Sequence, residues 1–418
     1  MRRLLRSDFV YSLASKGYTI LVGVFASAFL TRYLGLTQRG EYAFVVQISS
    51  VLVLASDLGV SQTYSYFYRQ YNGSILRRFL DMFLRQFVLY LLVASVVGLL
   101  VDDPAYAYAC MLVPFGVLRL RIDSAVAVEQ LRLFMKLHRV TITGTAIGYA
   151  FLFGARQYVG VSLLYPVLIT VALNAACCTF VYIRSLRAGR FSAGVTRGLT
   201  TEVVRYSWLP MLSVLLVSLN YSVDILLLRY LGSRVELSLY AVAAGIAAYV
   251  MFIPDAFKDV LTSRVARSDD TGAVNLAMRL SVASVSLVIL CFALLGRPLL
   301  ATLYGREFAA AWGVALILLI GGFFMIFYKM IGVLLLAEGQ RGFYFAVLAS
   351  SVTVNIAANL VAIPAWGMYG AALSSLVSYS MCGGAFLVWY LKTRNIALSE
   401  AVVLGLGELT AFVRRVNR

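Results

Sequence analysis

Twelve apolar stretches separated by short loops fix what this chain can fold into. They run at about 8–30, 42–66, 79–101, 105–126, 139–155, 161–183, 206–228, 238–260, 277–296, 311–336, 343–363 and 367–391. A helix that crosses the hydrocarbon core of a bilayer takes about 20 apolar residues. Lipid offers no hydrogen-bonding partner to the backbone, so each stretch must pair its own N–H and C=O groups, which a helix does. The longest internal loop, about 184–204, is too short to build a second soluble domain. The expected fold class is an all-α polytopic membrane protein with about twelve transmembrane helices.

Composition agrees. Hydrophobic residues make up 61% of the 418 and charged residues 13%, against about 45–50% and about 25% in soluble domains. The formal charge of +17 would suggest nucleic acid in a soluble protein. Here it reads as the Lys and Arg excess of cytoplasmic loops, and nucleic acid is not an expected partner. Of the 36 basic residues, 22 fall on segments assigned to the inner side, such as Arg2, Arg69, Arg132, Arg184, Arg264 and Lys392. Seven fall on the outer side: Arg32, Arg39, Arg156, Arg229, Arg234, Arg297 and Arg306. This bias places both termini in the cytoplasm. The basic start leads into an apolar stretch too long for a signal peptide, so it reads as an uncleaved first helix. All five cysteines lie in apolar runs and are expected free. The one histidine, His138, is read as part of a basic loop, so neither a metal cluster nor any resident cofactor is expected.

The two halves echo each other. Arg32-Tyr33-Leu34-Gly35 recurs as Arg229-Tyr230-Leu231-Gly232, Tyr42-Ala43 as Tyr240-Ala241, and Asp57 aligns with Asp255, all at offsets of 197 or 198 residues. A repeat of six helices returns the chain to its starting side, so the two copies are parallel. The expected organisation is an N-terminal six-helix lobe (1–198), a C-terminal six-helix lobe (199–392) and a cytoplasmic tail (393–418). Transporters built from repeats hold their substrate where the repeats meet and alternate its access.

Several segments carry a family resemblance. They are Thr31-Arg32-Tyr33-Leu34-Gly35 with Gly40-Glu41-Tyr42, then Asp57-Leu58-Gly59-Val60, then Asn220-Tyr221-Ser222-Val223-Asp224 with Arg229-Tyr230-Leu231-Gly232. Tyr304 to Phe308, Glu338-Gly339-Gln340 and the run from Asn355 to Ala372 follow. In this order they resemble the polysaccharide (Wzx-type) flippases of the multidrug/oligosaccharidyl-lipid/polysaccharide exporter superfamily, whose cousins are the MATE antiporters and the lipid II flippases. Leu237-Ser238-Leu239-Tyr240 departs from the Gly-x-Tyr step usual before the eighth span. The resemblance implies two lobes around a central cavity in a bacterial inner membrane. It also implies a polyprenyl-diphosphate-linked oligosaccharide as substrate, moved between leaflets for surface polysaccharide biosynthesis.

Such a substrate brings an anionic diphosphate into a region of low dielectric, so fixed positive charge is needed there. Ionisable groups within spans are costly and default to function. Lys16, Lys258 and Lys329 lie inside spans, and Arg119 lies near the inner end of the fourth with Arg121 beside it. These are the candidate substrate-binding cations, although Arg119 can pair with Asp123 at i+4 and Lys258 with Asp255 at i−3. Arg85 and Arg279 read as snorkelling residues. Asn220 and Asp224 share one helix face, as do Asn355 and Asn359. Their oxygens suit a coupling ion, Na⁺ or H⁺, and in the lipid II flippase cousins a cation site joins these two helices. The bland alternative is interhelical hydrogen bonding by the amides. Asp57 and Asp255 read as gate or helix-cap groups, and the tyrosines mainly as an interface belt.

The function expected is therefore a carrier and not an enzyme: a flippase for lipid-linked oligosaccharide. A MATE-like exporter of small organic molecules is the alternative. A membrane glycosyltransferase or polymerase fits less well, because the short loops leave no room for a catalytic domain. The expected partners are the lipid bilayer, the lipid-linked sugar, and a polymerase with its chain-length regulator. The chain itself is expected to act as a monomer.

Overall fold

The computed structural model describes residues 2–70, 76–187, 197–265 and 271–403. Parts of the expected inner loop (188–196) and of the tail (404–418) lie outside these residues. The described residues are helical almost throughout and contain no strand. Eight helical runs among them are long and apolar enough to cross a membrane. The chain divides into two compact units, Met1–Arg229 and Tyr230–Arg418.

In the first unit, α1 (Arg2–Asp57) is helical on both sides of Gly35, whose φ of 70° breaks the helix. The sequence leaves residues 31–41 as a loop, yet the chain turns at this single residue. The buried Tyr33 hydroxyl steadies the turn by donating to Gly160 O at 3.0 Å and accepting from Ser162 N at 3.1 Å. α2 (Val60–Gln70), α3 (Leu76–Leu100), α4 (Pro104–Glu129), α5 (Leu131–Gly154), the short α6 (Arg156–Val159), α7 (Leu164–Arg187) and α8 (Arg197–Leu231) follow. Asp103 caps α4, accepting from Ala105 N at 2.9 Å ahead of Pro104. The basic segment around His138 is helical, not a loop, because α5 begins at Leu131, directly after α4 ends.

Apolar packing explains the arrangement. A core joins Tyr64 and Phe67 of α2, Phe79 and Phe83 of α3, Ile122 of α4, Cys178 of α7 and Val203 of α8. The opposite case is α3, where Leu99 is 87% exposed and its neighbours Leu92, Val96 and Leu100 are also bare. Soluble monomers rarely show such contiguous apolar surface, and lipid is the solvent that makes it favourable. α5 meets α7 through a Gly-x-x-x-Gly step. A Cβ on Gly144 would lie 2.8 Å from Leu173, and one on Gly148 would lie 3.0 Å from Ile169. Small residues at this spacing let two membrane helices approach closely.

The expected second span, 42–66, is not one helix. It breaks at Leu58 and Gly59, which have φ of 54° and 73°. Asp57 organises the break. Its Oδ2 accepts from Ser61 N at 3.0 Å and Ser61 Oγ at 2.6 Å, capping α2. Its Oδ1 accepts from Arg121 Nε at 2.8 Å. Arg121 Nη2 donates to Asp57 O at 3.0 Å, and Nη1 bonds Gln86 Oε1. The guanidinium also lies over the rings of Phe83 and Tyr90, at 5.5 and 5.8 Å. Both charged side chains are sealed, at 1% and 2% exposure. α8 approaches the same break, where a Cβ on Gly59 would collide with Ser207 O.

The second unit holds α9 (Arg234–Val265), α10 (Thr271–Leu303), a 3-10 turn (Arg306–Ala311), α11 (Trp312–Ala337), α12 (Arg341–Arg394) and α13 (Leu398–Val402). α11 is its centre, packed by α9, α10 and α12 and buried along most of its length. α12 breaks at Gly367, φ 55°. One carboxylate holds that break and the start of α9 together. Glu236 Oε2 accepts from Ser233 N at 3.0 Å, while Ser233 Oγ accepts from Glu236 N at 3.2 Å, forming a capping box. Glu236 Oε1 accepts from Met368 N at 3.2 Å. A Cβ at residue 367 would occupy the place of that oxygen.

Two expectations follow for stability, both read by unfolding in detergent. Asp57→Asn or Arg121→Met alone strands a buried charge and is expected to cost about 3–5 kcal/mol, whereas the double variant recovers most of the loss. Gly59→Ala, strained at positive φ and blocked by Ser207 O, is expected to destabilise by about 1–3 kcal/mol or more. Gly154→Ala, which meets nothing within 4 Å, should be neutral or mildly stabilising.

Candidate functional site

The charged and amide side chains buried on the long helices are the groups able to act on a polar substrate or ion. In the first unit, Arg119 faces the opposite way from the sealed Arg121. Its Nε pairs with Asp123 Oδ2 at 2.7 Å, and its Nη1 donates to Thr141 Oγ1 of α5 at 3.3 Å. The i+4 pairing read from sequence is thus present, and it neutralises much of the charge that Arg119 offers. Lys16 is half-buried on the first half of α1, next to buried Ser15. Asn220 and Asp224 are buried on α8, at 0% and 2% exposure. Between them Ser222 accepts from Gln47, which ties α8 to α1.

A cluster that sequence reasoning left out sits at the end of α8. Arg229 Nε donates to Glu41 Oε2 at 2.7 Å, Nη2 lies 3.4 Å from Asp103 Oδ2, and the guanidinium lies 5.5 Å over the Phe44 ring. The signal was present, since Arg229 opens the repeated Arg-Tyr-Leu-Gly and Glu41 belongs to the Gly-Glu-Tyr step. Arg229 marks the repeat and Glu41 the family resemblance, and no local spacing joins two residues 188 positions apart.

In the second unit, Lys329 of α11 is buried. Its Nζ pairs with Asp255 Oδ1 of α9 at 2.8 Å and donates to Met251 O at 3.3 Å. Asp255 therefore meets Lys329 across helices, where the sequence offered Lys258 as its neighbour. Pro254 lies inside α9 beside these residues and removes an N–H from the helix ladder. Lys258 and Asp259, about one turn on, add a positive and a negative charge to the surroundings of Lys329. Asn355 and Asn359 are both fully buried on α12. Asn359 Nδ2 donates to Asn355 Oδ1 at 2.7 Å and to Asn355 O at 2.9 Å, and Asn355 Nδ2 reaches Ser375 Oγ at 3.5 Å. Arg279, read as snorkelling, donates to the Glu400 carbonyl of α13 at 2.5 Å.

The structure thus joins Lys329 to Asp255, Arg119 to Asp123 and Asn355 to Asn359. Asn220, Asp224, Lys16 and Arg119 belong to the first unit, and Lys258, Lys329, Asn355 and Asn359 to the second. Among the described residues no three of His, Cys, Asp and Glu converge as a metal site. All five cysteines are free.

No family model and no curated protein matches the sequence. Solved structures do resemble the fold. The lipid II flippase MurJ, in an inward closed conformation, superposes with a TM-score of 0.75 at 11% identity, over 94% of this chain and 89% of that one. An inward-facing multidrug resistance MATE family transporter of the MOP superfamily gives 0.66 at 12% identity, over 90% and 94%. A MATE in the bent conformation gives 0.60 at 11%, over 96% and 99%. At such identities the likeness establishes architecture: this is a multi-pass, all-α membrane protein with the fold that MurJ and the MATE transporters share.

Proposed function

We propose that this chain is a flippase that carries a polyprenyl-diphosphate-linked oligosaccharide from the inner to the outer leaflet of a bacterial inner membrane by alternating access, for surface polysaccharide biosynthesis. The observation that carries the reading is the placing of basic groups within the long apolar helices, Lys329 above all, in a fold that resembles a lipid II flippase over 94% of the chain. A diphosphate in a region of low dielectric needs such countercharge. Lys16, Lys329, Arg119 and Lys258 are its proposed ligands. Asp224 and Asn220, with Asn355 and Asn359, are the proposed oxygen ligands of a coupling ion, Na⁺ or H⁺.

The same reading takes the halves of α1 and α12 about their glycine breaks as separate crossings. With α3, α4, α5, α7, α8, α9, α10 and α11 they make twelve. Two six-helix lobes, 1–198 and 199–392, then follow, with both termini and the 393–418 tail in the cytoplasm. The chain acts as a monomer beside a polymerase and a chain-length regulator. A second reading, an exporter of small organic cations, draws on the likeness to MATE transporters. Basic groups within the helices speak against it, because a cationic cargo calls for a net acidic path.

The deciding experiment uses proteoliposomes carrying a fluorescent polyprenyl-diphosphate disaccharide, with a membrane-impermeant quencher reporting its leaflet. Protein-dependent transfer is expected, and Lys16→Ala is expected to slow it by about tenfold or more, the loss of one charge-assisted contact. Uptake of a fluorescent organic cation without lipid transfer would move the chain to the exporter reading. Asp224→Asn is expected to abolish the stimulation of transport by an ion gradient, and an unchanged ion dependence in that variant would reject Asp224 as a coupling ligand.

A further inference from the structure

The third anchor of the internal repeat, Asp57 and Asp255, leads to a comparison that the sequence did not offer. Each aspartate meets one basic side chain of a neighbouring helix at 2.8 Å, Arg121 of α4 in the first unit and Lys329 of α11 in the second. The same interaction has been built twice, with opposite finish. The Asp57–Arg121 pair is closed to solvent on both sides, and its guanidinium is locked by Gln86 and by the carbonyls of Ser56 and Asp57. In the Asp255–Lys329 pair the lysine side chain is 9% exposed while the aspartate is 35% exposed.

We infer that the Asp255–Lys329 pair is an exchange site, at which the Asp255 carboxylate holds the Lys329 ammonium until the diphosphate of an organic substrate displaces it. The inference rests on the flippase reading and adds an internal competitor to it. A buried ammonium must keep a counter-anion, because the desolvated charge alone is far too costly. A second anion can relieve Asp255, and a diphosphate, with more charge than one carboxylate, is suited to do so. Lysine is also the residue for an exchange. Its ammonium is a compact charge on a flexible four-carbon stem and can turn to a new acceptor without moving its helix, whereas the planar fork of an arginine is fixed by its several bonds. The exposed flank of Asp255 is the side from which a second anion can reach the ammonium. Lys258 and Asp259, about one turn along α9, add one positive and one negative charge to the same neighbourhood, so Asp255 is the anion in direct contact with the ammonium.

The test uses the purified full-length protein in detergent, with farnesyl diphosphate and inorganic pyrophosphate as probes, and binding read by titration calorimetry. Removing a competitor raises the apparent affinity, so Asp255→Asn is expected to bind farnesyl diphosphate about three- to tenfold more tightly while flipping in proteoliposomes falls. Asp255→Glu should stay close to the parent in both. The double variant Asp255→Asn with Lys329→Met removes both charges, is expected to fold, and should bind about tenfold or more weakly. Pyrophosphate tightening in parallel with farnesyl diphosphate would place the exchange on the diphosphate itself. Tightening for the lipid analogue alone would keep the exchange and add the prenyl chain to the recognised group. Unchanged or weaker binding by a folded Asp255→Asn, or parent-like binding by the double variant, would make the pair structural and overturn the inference while leaving the flippase reading intact. Absence of farnesyl diphosphate binding in the parent as well would overturn the flippase reading itself, and the inference with it.

Discussion

A carboxylate and a basic side chain facing each other inside a bundle of apolar helices set the terms for the rest of this structure. Neither charge can be buried alone, so each pair fixes two helices in one mutual position. In the first unit the pair does more. Asp57 ends α1, starts α2 and receives Arg121 from α4, which itself bonds Gln86 of α3. Four helices are thereby positioned by one sealed cluster, and α8 comes against it at Gly59. The aromatic core of Tyr64, Phe67, Phe79 and Phe83 then fills the space on the same side.

The second unit uses the same pairing on a helix that is buried nearly throughout. α11 has almost no polar surface, and Lys329 is the charge it carries at its heart. The lysine is held by the carboxylate of Asp255, which follows Pro254, and by the Met251 carbonyl about one turn earlier, two partners that belong to α9. Charge, helix packing and the interrupted backbone ladder thus meet at one point of the unit.

Much of this was legible in the sequence, and the limit of legibility has a physical shape. Apolar length alone indicated long apolar helices, although the expected second span breaks at Leu58 and Gly59. Spacing of four along a helix paired Arg119 with Asp123 and placed Asn355 beside Asn359. Asp57 was read as a gate or cap group, and it does cap α2. What failed was everything that depends on partners far along the chain. Asp255 looked to Lys258, three residues away, but meets Lys329; Arg121 and Asp57 are 64 residues apart. Local patterns also overstated the loops. Residues 31–41 needed only Gly35 to turn, and the basic stretch around His138 is the first part of α5, since polar side chains do not forbid a helix that emerges from lipid.

The single carboxylate of Glu236 has a consequence for how this chain can vary. It closes the first turn of α9 and receives the first N–H beyond the break in α12 with its two oxygens. The connection around Gly367 therefore has no slack: its length is tied to the reach of one side chain 131 positions earlier in the sequence. Insertions there leave two helix ends uncapped at once, so among chains of this architecture the length of that turn and the residue at the start of α9 should change together. The site is correspondingly a poor place for an inserted tag or a circular permutation, although it looks from the sequence like an ordinary short loop.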